Sequence, residues 1–272
     1  MSGLAVESFR VTATGPDIDV AAAVNEDKVL ATCLARSPDI LSGDVRLRTY
    51  VGYSTAGSAY NCALDESTAE YLVLVHQDVY LPGGFLENLR GQIERLNEAD
   101  PAWAVAGSIG LDANETLHGQ VWSSGLKRVI GNRVAQPVLS ICLDELLLVV
   151  RKASGVRFDE DLPGFHMYGL DVIHTARSKG LSSYILDAPV IHHSRPVVTL
   201  NGGYHQAYRY MGAKWRNSLP IPNLICTVYP TSLFLMWRNL QLRRRHKGRT
   251  DRPEPTGDPV AIARELGYER AS

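Results

Sequence analysis

The feature that most constrains this chain is the run Tyr71 to Val75, YLVLV, in which no polar residue alternates with the apolar ones. A strand of that composition has to be buried on both faces, so it demands packed layers above and below it. His76, Gln77 and Asp78 follow at once, and Pro82-Gly83-Gly84 then break the chain. In open α/β sheets ligands bind beyond the carboxyl ends of the strands, which makes this polar cluster the first place to expect chemistry. A carboxylate at such a tip suits Mg2+ or Mn2+, ions that prefer oxygen and share their ligands with phosphates. The plain alternative is that Asp78 only caps the following turn.

Strand and helix patterns alternate through the first half. Ile18 to Val24 reads as a strand that stops at Asn25-Glu26-Asp27, where a helix is expected to start and run to about Arg36. Val45 to Val51 alternates as a strand, Ala56 to Ser67 reads as a helix, Phe85 to Asn97 has helical apolar spacing, and Ala102 to Ala106 is a further strand. Leu117 to Pro137 is polar and glycine-bearing, with a short β stretch around Arg128 to Ile130. Leu146 to Val150 is a strong strand and Phe158 to Tyr168 a loop. Leu170 to Lys179 is a helix closed by Gly180, and Tyr184 to Ile191 a single returning strand. This order predicts an α/β fold with a mostly parallel central sheet flanked by helices. Residues 1–218 are expected to form the domain and residues 219–272 an irregular or helical tail, with a last helix over Val260 to Leu266.

Composition narrows the class. The 272 residues are 45% hydrophobic and 21% charged with a formal net charge of −1, so no overall basic field points to nucleic acid. The four cysteines are far apart with no CxxC pairing, which predicts free thiols, no zinc knuckle and a reducing, cytoplasmic setting. Met1 to Arg10 lacks the basic and apolar regions of a secretion signal. Leu219 to Trp237 is apolar, but Pro220, Pro222 and Pro230 interrupt it and exclude a spanning helix. With Arg238 and Arg243 to Arg245 behind it, this segment either lies on a membrane surface, packs on the core or joins two copies of the chain.

Two more polar clusters stand beside the apolar runs. Ile191-His192-His193-Ser194 ends a strand, and because adjacent strand residues face opposite ways, only one histidine can reach a metal held by Asp78. Asp171, in FHMYGLD with His166 and Tyr168, opens a helix as a first-turn acid or serves as a general base. Asp144 and Glu145 precede the LLLVV strand.

In order and spacing these pieces resemble the family 2 glycosyltransferases with the GT-A fold, and most of all the bacterial capsule and antibiotic-sugar subgroup with the StrF-type domain. The stretches that carry the likeness are AYNCALDESTAEYLVLVHQDVYLPGGFLENL, SICLDELLLVVRK, FDEDLPGFHMYGLDVIHTARSKG, DAPVIHHS and AYRYMGAKWRNSLP. The resemblance implies a nucleotide-diphospho-sugar donor, an acceptor hydroxyl, Mn2+ or Mg2+, and inversion at the anomeric carbon. It puts Asp78 on the metal and diphosphate, with Gln77 at the middle of the metal motif and His76 where the first acid would stand. His192, or failing it His193, completes the metal site, and Asp171 is the base, with Glu145 next in line. Ala23, Asn25, Glu26, Gly52, Tyr53, Ser54 and Asn61 fall along the donor, though Gly52-Tyr53-Ser54 brings no acid to the base, so uridine selectivity is not implied. Asp144, Glu145, His166 and Tyr168 fall on the sugar or acceptor side, where Trp122 is either a stacking platform or a core residue.

The missing first acid keeps open a nucleotide-sugar-binding protein on the same fold without catalysis. A metal-dependent hydrolase built on His76, Asp78, His192 and His193 is a third reading. A dinucleotide oxidoreductase is disfavoured, since the turn Val24 to Lys28 has no GxGxxG.

Overall fold

The computed structural model describes residues 15–246 and 253–269; Met1 to Arg10, on which the secretion-signal reading rests, lies outside them. The strands are β1 (Ile18–Val24), β2 (Leu47–Val51), β3 (Tyr71–Val75), β4 (Val79–Tyr80), β5 (Trp103–Gly107), β6 (Ile109–Leu111), β7 (Leu117–Ser123), β8 (Arg128–Asn132), β9 (Val138–Leu139), β10 (Cys142–Leu143), β11 (Leu147–Arg151), β12 (Ser182–Ile185) and β13 (Val190–His192). The helices are α1 (Asp27–Thr32), α2 (Pro38–Leu41), α3 (Ala56–Glu66), α4 (Phe85–Ala99), α5 (Tyr168–Ser178), α6 (Gly203–Lys214), α7 (Leu233–Arg245) and α8 (Pro259–Glu265).

A 7-stranded sheet has the order β2-β1-β3-β11-β5-β12-β9. In it β2, β1, β3, β5 and β12 share one direction while β11 and β9 run against them, so the sheet is mostly parallel with a reversed strand wedged at its centre. β3 lies between β1 and β11 and is buried along its whole length, as YLVLV requires. Its residues divide by the period of two: Leu72 and Leu74 join a core shared with α3, α5 and α6, whereas Tyr71, Val73 and Val75 face a second core built on Leu86, Leu89, Ile93 and Leu96 of α4.

The stretch expected as one strand, Tyr184 to Ile191, is two. β12 stays in the large sheet, and β13 joins a smaller one of order β10-β6-β7-β13-β4, with β8 beside β7. The break falls at Asp187-Ala188-Pro189, where the proline has no N–H for a ladder. The Asp187 carbonyl is also drawn away from pairing by Asn88 Nδ2 and Gln92 Nε2 of α4, each at 2.7 Å. The helix expected to reach Arg36 ends at Thr32, because Cys33 and Leu34 turn inward into full burial and the chain resumes as a single 3-10 turn. Residues beyond 218 are woven into the body: Ile221, Cys226, Val228 and Leu235 sit in the core shared by α3, α5 and α6. The cysteines are unpaired, and Cys33, Cys142 and Cys226 are buried. No helix among the described residues is long and apolar enough to cross a membrane.

Candidate metal and nucleotide site

The sheet topology brings the polar residues together. β3 ends at Val75, the turn His76-Gln77-Asp78 reverses the chain, and β4 pairs antiparallel with β13 so that Val79 stands opposite His192. That pairing sets the His193 amide on the Asp78 carbonyl at 2.7 Å and the His192 Nε2 3.5 Å from Asp78 Oδ1. From the other side His76 Nδ1 lies 3.9 Å from the same oxygen. His76, Asp78 and His192 each offer one ligand atom, all within 4.8 Å of one another, a grouping able to hold a metal ion. Alternation along β13 turns His193 away, where its Nδ1 sits 3.1 Å from Ser124 Oγ. Of the two neighbouring histidines it is therefore His192 that faces Asp78, and His76, taken from the sequence as the stand-in for a lost acid, joins it.

The donor chemistry is tuned by neighbours. Tyr168 Oη donates to the Glu145 carbonyl at 2.9 Å and lies 2.9 Å from His76 Nε2. With the hydroxyl proton committed to the carbonyl, His76 Nε2–H is the donor to Tyr168, which leaves the Nδ1 lone pair facing Asp78. Burial lowers the His76 pKa, against the pull of Asp78. Burial would also lower His192, but the Asp78 carboxylate beside it raises the pKa instead. Asp78 itself resists the upward push of burial and stays well below the usual carboxylate range, held there by His192 and then His76. Two imidazoles and an ionised carboxylate fit a divalent cation.

Beside these groups a cavity of about 460 Å3 opens past the carboxyl ends of β1, β2 and β3. Ala23, Asn25, Gly52, Tyr53, His76 and Gln77 line it, and Asp78 is the one carboxylate among the described residues that does. No Lys or Arg among the described residues lines it. Gln77 acts as a clasp: its Oε1 accepts the amides of Asn25 and Glu26 at 3.1 and 3.2 Å, and its Nε2 donates to Asn25 Oδ1 at 2.5 Å. The sequence reading did not single out Tyr50, Val51, Tyr60 and Phe165, which supply the cavity's apolar and aromatic walls. Strand-end position marks Tyr50 and Val51, whereas nothing local distinguishes Tyr60 from any other buried helix aromatic.

Other expected residues fall elsewhere. Glu26 is outside the cavity and faces Arg195 at 3.3 Å, and Ser54 is exposed. Asn61 is buried as a tie between α3 and the loop beyond it, donating to the Phe158 carbonyl and accepting its amide. Trp122 packs with Cys33, Tyr80, Ile191 and Ala263 on the far side of the small sheet from His192. Its ring is a packing residue, because Trp122 and Ser123 alternate as Ile191 and His192 do. Asp171 is 1% exposed, and its oxygens are held by Lys214 Nζ at 2.7 and 2.9 Å and Trp215 Nε1 at 2.7 Å. These contacts tie α5 to the end of α6.

The acids Asp144 and Glu145 do border a cleft, a small one of about 40 Å3 that also touches His166, Tyr204 and Ile225. Burial, and then the Asp144 charge, lifts Glu145 well above the ordinary carboxylate range, opposed by hydrogen bonds from the amides of Met167 and Gly169. Met167 takes a left-handed φ of 64° to begin α5, a conformation uncommon outside glycine. Gly169 is required there, since a Cβ would lie 2.9 Å from Glu145 Cγ.

No protein-family model matches the chain. A protein of Fuscovulum blasticum named "ATP synthase subunits region ORF 6" is 30% identical over 178 residues, 64% of this chain and 71% of that protein. The chain belongs to the same family as that protein, whose name states no activity. Among solved structures, the mannosyltransferase PcManGT from Pyrobaculum calidifontis in complex with GDP-Man and Mn2+ is 12% identical, with a TM-score of 0.48 over 94% of this chain and 80% of that one. GalNAc-T7 with UDP, GalNAc and Mn2+ is 10% identical, TM-score 0.44, over 94% and 57%. TarS 1-349 of S. aureus is 12% identical, TM-score 0.45, over 73% and 65%. Likenesses this distant assign no chemistry to this chain.

Proposed function

We propose that this chain is a nucleotide-diphospho-sugar glycosyltransferase of GT-A type. The observation that carries the reading is the His76–Asp78–His192 group, of which His76 and Asp78 line the 460 Å3 cavity at the carboxyl ends of three parallel strands. Because no Lys or Arg among the described residues lines that cavity, a diphosphate bound there depends on a cation held by these three residues. Two imidazole nitrogens with one carboxylate oxygen favour Mn2+ over Mg2+, which is held almost entirely through oxygen. When bound there, the ion offsets the negative charge that develops on the departing nucleoside diphosphate.

The chain's own groups do the rest. Gln77 fixes the turn after β1, and the aromatic side chains of Tyr50, Tyr53 and Tyr60 give a planar base a surface to stack on. Glu145, rather than Asp171, takes the proton from the acceptor hydroxyl: it borders the small cleft, and burial raises its pKa, which makes the ionised group the stronger base. Tyr168 couples the two halves, touching the His76 ring with its hydroxyl and the Glu145 backbone with the same atom. A single in-line displacement assisted by one base inverts the anomeric carbon.

The nitrogen-rich ligand group also suits a metal-dependent hydrolase, which keeps three protein ligands and an open position. A thermal-shift panel separates the two. Stabilisation by one nucleoside diphosphate only when Mn2+ is present supports the transferase, since a ligand of the native state raises its melting point. A large shift with Zn2+ alone and none with any nucleotide supports the hydrolase.

A further inference from the structure

α7 turns its apolar stripe outward. Leu233, Met236, Trp237 and Leu240 recur at the i, i+3, i+4, i+7 spacing of one helix face. They are 71, 64, 52 and 46% exposed, whereas Leu235 on the opposite face is buried in the core. Ile225 and Tyr229 extend the apolar surface from the preceding loop, with Tyr229 packed edge-on to Phe234 and Phe234 on Trp237. One turn further on, the same stripe changes character: Arg244 continues it, flanked by exposed Arg243 and Arg245.

The stretch of sequence that carries this face is one-sided in charge. Between Asp187 and Asp251 the sequence has ten Lys and Arg and not a single Asp or Glu, in a chain whose formal net charge is −1. An isolated apolar stripe suits any greasy partner, but an apolar stripe that runs into an arginine cluster within an acid-free segment matches the boundary of an anionic bilayer, with acyl chains below and phosphate headgroups at the rim. The helix has 13 residues, too few to span a membrane and enough to lie along its surface.

We propose that the α7 face formed by Leu233, Met236, Trp237 and Leu240 docks this protein on an anionic membrane surface, with Arg243, Arg244 and Arg245 on the lipid headgroups. Docking in this way needs no assumption about the transferase reading. It does bring the Glu145 cleft to the bilayer, because Ile225 both borders that cleft and belongs to the docking surface, and its carbonyl accepts from Arg238 Nε of α7.

The test is co-sedimentation of the full chain with vesicles of phosphatidylcholine alone and with 30% phosphatidylglycerol, beside Leu233→Ser/Trp237→Ser and Arg243→Gln/Arg244→Gln/Arg245→Gln. Each double or triple variant alters exposed side chains, so folding is retained and is checked by melting temperature. The wild type is expected to sediment with the anionic vesicles, at least tenfold more tightly than with neutral ones, and each variant to lose at least tenfold. Failure of the wild type to bind, or unchanged binding in both variants, overturns the proposal. So does a wild-type dimer by light scattering that the Leu233→Ser/Trp237→Ser variant dissociates, which would make the face a contact between two copies. Nucleoside diphosphate and Mn2+ binding, measured on the same samples, reports on the transferase reading separately.

Discussion

His76 Nε2 and the Tyr168 hydroxyl stand 2.9 Å apart, and this contact decides which nitrogen of His76 faces Asp78. Tyr168 lies on the first turn of α5, 92 residues away along the chain, yet it fixes the tautomer of an imidazole in the candidate metal site. Tyr168→Phe removes that restraint while keeping the ring that packs on Tyr60 and Phe158. The expected result is a Mn2+ affinity lower by roughly tenfold to a hundredfold, the usual cost of losing an outer-shell partner, with little change in nucleotide affinity in the absence of metal. Isothermal titration with Mn2+ checks it, and an unchanged affinity would show that Tyr168 does not orient a ligand.

The two adjacent histidines make a paired test. His192→Ala removes a ring 3.5 Å from Asp78 Oδ1, so Mn2+ binding should be lost. His193→Ala removes a ring turned toward Ser124, while the backbone amide that contacts Asp78 stays in place, so Mn2+ binding should persist. The opposite pattern would mean that β13 is shifted by one residue.

Asp171 and Glu145 are expected to behave in opposite ways. Asp171→Asn breaks a buried pair with Lys214 and should cost stability, about 3 kcal/mol, the lower end of the range for buried pairs because Lys214 is partly exposed and also bound to Asp159. Donor binding by the folded protein should survive. Glu145→Gln should instead remove turnover without destabilising the fold, since the amide oxygen can still accept from the backbone N–H groups of Met167 and Gly169. Denaturant melts and a transfer assay on both variants separate a structural carboxylate from a working one.

His174 predicts a pH dependence of stability. It is held in α5 against Trp215, with its Nε2 buried and without a partner among the described residues, and burial lowers its pKa to about 4. A histidine whose folded pKa lies below its unfolded value binds fewer protons in the native state. Its stability contribution is whole above about pH 6.5 and lost as the pH falls toward 4, roughly 2–3 kcal/mol. His174→Leu should flatten the stability curve between those limits, as read by urea melts at pH 7 and pH 4.5.

Much of the architecture was legible because its signals are strong and local. YLVLV could only be a central strand, and the position of Asp78 just beyond it followed from the sheet. The smaller sheet was harder to see: β4, β9 and β10 have 2 residues each, too few to show a period, and β7 is rich in polar and glycine residues. The union of His76 with Asp78 and His192 depends on β13 leaving the large sheet at Pro189 and pairing with β4, a long-range event that no neighbouring residues announce. Asp171 is a related case. An acid in the first turn of a helix looks the same in sequence whether it meets a substrate or, as here, Lys214 and Trp215 from α6.

The central claim is that His76, Asp78 and His192 hold a divalent ion for a nucleoside diphosphate. Its most direct test is Mn2+ titration followed by electron paramagnetic resonance, on the wild type and Asp78→Asn, with and without the diphosphate selected by the thermal-shift panel. The account predicts that the wild type binds Mn2+, and binds it more tightly with the nucleotide, while Asp78→Asn melts like the wild type and loses both effects. Undiminished, nucleotide-enhanced Mn2+ binding in Asp78→Asn would contradict it.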